Sequence, residues 1–329
     1  MPPDPPSRPL LDWLAERYPD SPRKRLKGWF AAGRVRLDGE TVRQFHLPAE
    51  APGERLEVVG VEASTGKVES DLRLHQGARL VYLDKAVAVI NKRAGILSVP
   101  VPGRDDPSAL DFLQRHLERT GSSQRALPVH RLDEYTSGLL CFALTPEARA
   151  VLVEAVRSHR LERTYLAFVE GAPASPEGTW RHALKLDEEG YHQHLVRPGT
   201  PGATEAVTAY ELLATYRHGA GEGQPERVVS KLRLRLETGL KHQIRLQAAA
   251  SGTPLIGDRR YHPAQGGEQR RGKHTRRQAL HAVRLAFDHP VTGEWSAWEA
   301  PLPGELASFE ADLRRQDAPS GGRPPGRRW

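Results

Sequence analysis

Six consecutive apolar residues, Leu139-Leu140-Cys141-Phe142-Ala143-Leu144, stand between Ser137-Gly138 and Thr145-Pro146. A run this short, closed by turn residues on both sides, is too short for a typical helix and reads as a buried strand. That strand constrains what precedes it. His130-Arg131-Leu132-Asp133 becomes a loop anchored at a strand end, where a rigid scaffold can hold a chemical side chain. An imidazole, a guanidinium and a carboxylate are thus packed into four residues, with a second apolar stretch, Ala126-Leu127-Pro128-Val129, upstream. Taken alone, the four residues do not decide between such a site and a solvated turn in which Asp133 caps backbone amides.

The surrounding chain has the texture of an α+β domain. Leu80-Val81-Tyr82-Leu83, Val87-Ala88-Val89-Ile90 and residues 165–169 read as strands. Leu232-Arg233-Leu234-Arg235-Leu236 alternates strictly, as a half-buried antiparallel strand does. Residues 146–159 read as a helix, and helices and strands follow no regular βα repeat. Leu240, Ile244 and Ala248 recur at i, i+4 and i+8, which predicts that residues 243–250 lie on the sheet with Arg245 turned off the packed line. Residues 217–227 and 266–278 read as loops. Within the second, Gly267-Glu268-Gln269-Arg270-Arg271-Gly272-Lys273 has P-loop spacing, but His274 stands where Ser or Thr is needed and no apolar strand leads in. It reads as a basic loop.

A length of 329 residues leaves room for one large domain and one small one. The formal net charge of +7 favours an anionic partner, nucleic acid first. A single cysteine, Cys141, excludes an internal disulfide, and its apolar setting predicts a buried, inert thiol. No apolar run approaches the ~18 residues that span a bilayer. The proline-rich residues 1–9 lack a signal-peptide core, so the expectation is a cytoplasmic protein. His192-x-His194 could place two imidazoles on one strand face, but without cysteines or a third ligand at suitable spacing no metal is expected.

After the loose lead-in of residues 1–9, Leu10, Leu11, Leu14 and Tyr18 recur at helical spacing. Ser21-Pro22 supplies an N-cap and a first-turn proline for a second helix, with Leu26, Trp29 and Phe30 as its apolar stripe and Gly33 at its C-cap. Arg23, Lys24 and Lys27 occupy its other faces, and Arg34 and Arg36 carry the charge onward. The following alternation is broken by Asp38-Gly39, a strong hairpin signal. Residues 10–60 therefore read as a small α/β module with a basic face; the plain alternative is a solvated face that keeps a small domain soluble. Residues 61–76 read as a linker, 77–313 as the main domain, and 314–329 as a disordered basic tail.

The string His130-Arg131-Leu132-Asp133-x-x-Thr136-Ser137-Gly138-Leu139 resembles the signature of the RluA-type pseudouridine synthases. Four further stretches resemble that family in the same order. They are Asn91-Lys92-Arg93-Ala94-Gly95, Arg163-Thr164-Tyr165-Leu166-Ala167, Thr238-Gly239-Leu240-Lys241-His242-Gln243-Ile244-Arg245, and Pro254-Leu255-Ile256-Gly257-Asp258 with Tyr261. Arg93 stands where the family usually has proline, and Leu240 where arginine is common. Arg25 through Gly39 resembles the RNA-binding domain named after small-subunit ribosomal protein S-four.

The resemblance implies a curved, mostly antiparallel mixed sheet crossed by an active cleft, with a small N-terminal RNA-binding domain. It implies isomerisation of uridine to pseudouridine in structured RNA, without a cofactor, by a monomer. Asp133 would be the nucleophile, Arg245 its cationic partner, and Tyr165 the side chain against the target base. Arg131 would serve as a wedge or clamp while the uridine leaves its stack. Lys92 and Lys241 would contact phosphates, as would Arg23, Lys24, Lys27 and Arg34 of the module, and His130 and His242 would organise loops. The extra module favours large-subunit ribosomal RNA as target, with transfer RNA second. Two rivals are a non-catalytic ribosome-assembly factor on the same fold, which intact Asp133, Tyr165 and Arg245 oppose, and a carboxylate-based hydrolase, which lacks a second obvious acid.

Overall fold

The computed structural model describes residues 7–18, 23–31, 33, 35–49, 55–58, 64–65, 72–75, 77–187, 189, 193–218, 227–262 and 277–317. Thirteen of the described strands form one mixed sheet. Its main path runs Gln193–Val196, Glu177–Leu186, Thr204–His218, Arg227–Leu236, Glu162–Glu170, Leu280–Asp288, Ser137–Ala143, Val87–Lys92, Ala78–Leu83 and Leu72–His75. Neighbours are antiparallel except where Ser137–Ala143 meets Leu280–Asp288 and where Ser64–Thr65 meets Trp295–Glu299. The α+β reading of the sequence holds.

Ser137–Ala143 is buried at every position, as its apolar run predicts. Its parallel contact depends on Gly138, which has φ +117° and where a Cβ would fall 2.2 Å from the Ala282 carbonyl oxygen. Strand alternation divides the core into two faces. Ile90, Leu140 and Phe142 point to one, where the Ala109–Arg119 helix contributes Phe112, Leu113 and Leu117 and the Gln243–Ala250 helix contributes Ile244 and Ala248. Val89, Leu139 and Cys141 point to the other, covered by Ala148, Leu152 and Ala155 of the Pro146–Arg157 helix. That helix starts where Thr145 accepts a hydrogen bond from the Ala148 N–H. Leu232 and Leu234 are buried and Arg235 exposed, the alternation expected of their strand.

The Gly304–Asp317 helix packs Leu306, Phe309 and Leu313 on Phe168, Tyr216 and Val229. It carries Arg314 through Asp317, so the first part of the expected disordered tail is helical; residues 318–329 lie outside the described residues. No helix among the described residues is long and apolar enough to cross a membrane.

At the N-terminus, Leu10–Arg17 and Arg23–Ala31 are helices, and Val35–Leu37 pairs with Glu40–Thr41 and Leu56–Val58. Asp38 and Gly39 form the hairpin turn with φ of 54° and 82°, as the Asp-Gly pair predicts. Leu26, Trp29 and Phe30 are buried, while Ser21 and Pro22 lie outside the described residues. Two expectations need correction. Arg8–Pro9, read as loose lead-in, pairs with Pro48–Ala49. The stretch read as a linker contributes Ser64–Thr65 and Leu72–His75 to the large sheet, where partner strands override a sequence without clear periodicity. The module's core also continues into the main sheet: Leu10, Trp29 and Phe30 cluster with Ala286 and Trp295.

Candidate active site

Asp133 lies in a turn closed by the Thr136 N–H on the Asp133 carbonyl at 3.0 Å. The turn is held from several directions. Ser98 Oγ donates to the Leu132 carbonyl at 2.7 Å and accepts from the Leu132 N–H at 2.9 Å. Arg277 Nη1 donates to the Tyr135 carbonyl at 3.1 Å, and Lys92 Nζ donates to the Glu134 carbonyl at 3.0 Å. A carboxylate on a backbone so fixed has its position set by the fold.

Arg245 projects from the first turn of the Gln243–Ala250 helix and is 9% exposed. Its Nε and Nη2 donate to Asp258 at 2.7 and 3.0 Å, and its Nη1 donates to Asp133 at 3.3 Å. One guanidinium therefore bridges two carboxylates, clamped in bidentate fashion by one and turned to the other. Burial opposes the charge on Arg245, but Asp258 and then Asp133 raise its pKa above the ordinary value. Burial likewise opposes the Asp258 carboxylate, yet Arg245 and the Arg260 and Tyr261 N–H groups hold its pKa down. The helix is placed by Gln243, whose amide donates to the Val207 carbonyl and to Thr208 Oγ1 and accepts from Thr238 Oγ1 and the Leu240 N–H.

Tyr165 lines the same cavity, of about 110 Å3, together with Asp133 and Arg245. Its strand changes register between Thr164 and Tyr165 in pairing with Leu280–Asp288, a bulge of the kind that re-aims a side chain. Burial pushes the Tyr165 hydroxyl up to about 12, with Arg163 pulling the other way and Asp133 adding to the rise. A second cavity, of about 780 Å3, adjoins the first at Asp133, His242 and Arg245 and is bordered by Tyr135, Arg259 and Arg260.

A carboxylate and its clamped arginine thus stand where two cavities join, with a buried tyrosine lining the smaller one. Residues 86–250 match the family described as RNA pseudouridylate synthase. The chain is 35% identical to ribosomal large subunit pseudouridine synthase D of Haemophilus influenzae, over 92% of each chain. It is 32% identical to the protein of the same name from Vibrio vulnificus, over 94% of this chain and 92% of that one. The chain belongs to the RNA pseudouridylate synthase family. It is a pseudouridine synthase, an intramolecular isomerase. Its fold is also that of human RNA pseudouridylate synthase domain containing 4, with TM-score 0.56, 21% identity, and 71% of this chain and 92% of that one covered.

Within this synthase, the expected site residues separate into groups. Asp133, Tyr165 and Arg245 come together. Arg131 is exposed and Lys241 half-buried at the rim of the same cavity. Lys92 does not fit a phosphate contact. It is 0% exposed, and its ammonium donates to the carbonyls of Arg93, Ile96 and Glu134. Burial draws its pKa down to about 7, with the Asp133 and Glu134 carboxylates pulling the other way and Arg277 adding to the fall. Its role is to anchor the Asp133 turn. In the module, Arg23 is exposed and paired with Asp12, and Lys27 is exposed with its ammonium 4.8 Å from the Phe45 ring centroid. The Lys24 side chain and Arg34 lie outside the described residues.

Both expected loop histidines are held neutral by burial. His130 Nε2 accepts from the Cys141 N–H at 3.3 Å, and its pKa is pushed down to about 3, with Arg163 contributing. His242 has φ 55°, its Nδ1 lies 2.9 Å from the Tyr261 hydroxyl, and its pKa falls to about 4. At 3.9 Å from Asp133, its Nε2 is too far for a hydrogen bond. Leu240 leaves the expected apolar line: it precedes the helix and packs with Leu184, Ala206 and Leu246. His192 and residues 263–276, including the P-loop-like run, lie outside the described residues. Among the described residues no three His, Cys, Asp or Glu side chains are grouped to hold a metal ion. Asp258 is the site residue that sequence reasoning passed over; its signal was an acid beside glycine in the Pro254–Asp258 run.

Proposed function

We propose that this synthase converts uridine to pseudouridine in large-subunit ribosomal RNA, with Asp133 as the reacting carboxylate and no cofactor. The reading rests on one observation above the others: Arg245, clamped by Asp258, holds its remaining N–H edge 3.3 Å from Asp133. The reaction detaches uracil from the ribose, turns it and rejoins it through carbon, with no change of oxidation state. A carboxylate that can act as nucleophile, fixed in a cleft beside a cation, meets that requirement. Tyr165 would lie against the base, and Arg131 and Lys241 would engage the backbone as the nucleotide is drawn from its stack, a step that costs a few kcal/mol. Residues 10–60 would add affinity through exposed basic side chains, which suits a large structured RNA. The ribosomal target is supported by the names of the relatives, which match over nearly their whole length.

The test compares transcripts. Purified protein treated with chelator should form pseudouridine in a large-subunit ribosomal RNA fragment and far less in transfer RNA. Preference for transfer RNA would move the target, and loss of activity on chelation with recovery on adding zinc would overturn the cofactor-free reading.

A further inference from the structure

Most buried cations of this cleft have partners that account for them. Arg245 has two carboxylates, Lys92 three carbonyls, and Arg277 has Glu305, Ser137 and three carbonyls. Arg163 differs. It is 7% exposed on the Glu162–Glu170 strand, and among the described residues its guanidinium makes no ion pair and no hydrogen bond. Its Nε is buried without an acceptor. Burial lowers its pKa, and the groups that act on it, Tyr165 and Cys141, are both pushed up to about 12 and so carry no charge at neutral pH. An unpaired buried charge is costly, and a fold that keeps one in the wall of the reacting cavity has a use for it.

Arg163 lines the cavity that holds Asp133 and Tyr165. Space for its guanidinium is made by Gly239, where a Cβ would fall 2.5 Å from Nη1. Asp133 is already served by Arg245, so Arg163 is left facing a second negative charge that only substrate can bring. We propose that Arg163 is a catalytic residue that receives the charge of the uracil ring when the glycosidic bond breaks. This rests on the pseudouridine-forming reading given above. The C1′–N1 bond breaks with its electron pair on N1, delocalised onto O2 and O4. The C1′–C5 bond then forms, C5 releases a proton and N1 takes one up, so nothing else is consumed. A planar guanidinium presents N–H donors to a ring oxygen as that charge develops, in a site shielded from water. A backbone phosphate is the weaker candidate, because it stays outside with its hydration and is met by exposed cations such as Arg131.

Three variants test this. Arg163→Met removes the charge and keeps most of the volume, Arg163→Lys keeps the charge, and Gly239→Ala pushes the flexible guanidinium aside without removing it. On the transcript that wild type modifies, the single-turnover rate of Arg163→Met should fall by about 10²–10³-fold. Arg163→Lys should fall less, and Gly239→Ala should fall as well. RNA affinity should stay within a few-fold, and Tm should not drop for Arg163→Met, since an unpaired buried charge has gone. A near-wild-type rate for Arg163→Met would overturn the proposal. So would a loss confined to affinity with a smaller salt slope, which marks a phosphate contact. If Arg163→Met does not fold, Gly239→Ala and Arg163→Lys decide by the same readings. Failure of wild type to modify any uridine would instead remove the parent reading.

Discussion

The cleft and the N-terminal module both carry positive charge, but they hold it in opposite ways. In the cleft, Arg245, Lys92 and Arg277 are nearly excluded from solvent, and each is fixed by several hydrogen bonds. In the module, Arg23, Lys27 and Arg36 are exposed, with Arg23 paired to Asp12 and Lys27 lying over Phe45. A buried charge acts strongly on one neighbour, whereas an exposed one is screened within about 8–10 Å by physiological salt. Changes in the cleft should therefore appear in turnover and stability, and changes in the module in affinity and its salt dependence.

The sharpest challenge to that contrast is Arg245→Ala. It removes the group beside Asp133 and leaves Asp258 buried without its partner, so turnover should fall to background and stability should drop by about 3–5 kcal/mol. Arg245→Lys keeps charge but not the fork that grips Asp258, and it should fall between Ala and wild type in both assays. Equal, near-wild-type rates for the two variants would show that the bridge has no part in turnover.

Acid should act on the catalytic domain through its buried histidines. His130 and His242 bind a proton near pH 6.5 when unfolded, but only near 3 and 4 when folded. Between those values the unfolded chain holds more protons, so stability falls as pH falls from 6.5 towards 4, by roughly 1.4 kcal/mol per pH unit for each histidine at most. Denaturant midpoints across that range should show the slope, and His242→Asn should reduce it. An unchanged slope in His242→Asn would mean that this imidazole titrates alike in both states.

A smaller effect is expected from deleting residues 1–60. Because Trp295 and Ala286 share the module's core, the truncated protein should fold but lose roughly 1.5–3 kcal/mol from one uncovered large side chain. Equal melting curves for the two lengths would show that the shared core contributes nothing. Smallest of all is the effect of Lys27→Ala or Arg36→Ala in the full chain. Each should reduce the log–log salt slope of RNA binding by about 0.7–0.9 if it meets a phosphate, with turnover at saturating RNA unchanged. Identical slopes would make that face merely solvated.

The same contrast explains what the sequence made legible. The Ser137–Ala143 strand and the half-buried Arg227–Leu236 strand follow from local periodicity, and the Asp38-Gly39 hairpin from local turn chemistry. The meeting of Asp133 with Arg245 was readable through the family resemblance of two separate motifs. The phosphate contact that the resemblance implies for Lys92 gives way to burial, because nothing in Asn91-Lys92-Arg93 signals that three carbonyls surround the ammonium. The pairing of Ser64–Thr65 and Leu72–His75 was hidden for a similar reason, since their partners are distant in the chain. Asp258 lies within the Pro254–Asp258 motif, but its hold on Arg245 is a property of the folded turn alone.

The most direct test of the account is pseudouridine formation by Asp133→Asn on a large-subunit ribosomal RNA fragment, with RNA affinity measured on the same preparation. The substitution removes the carboxylate and almost no volume, on a turn that Ser98, Lys92 and Arg277 hold in place. The account predicts no pseudouridine above background, affinity within a few-fold of wild type and a fully active wild-type control. Appreciable turnover by Asp133→Asn, with wild-type contamination excluded, would contradict it.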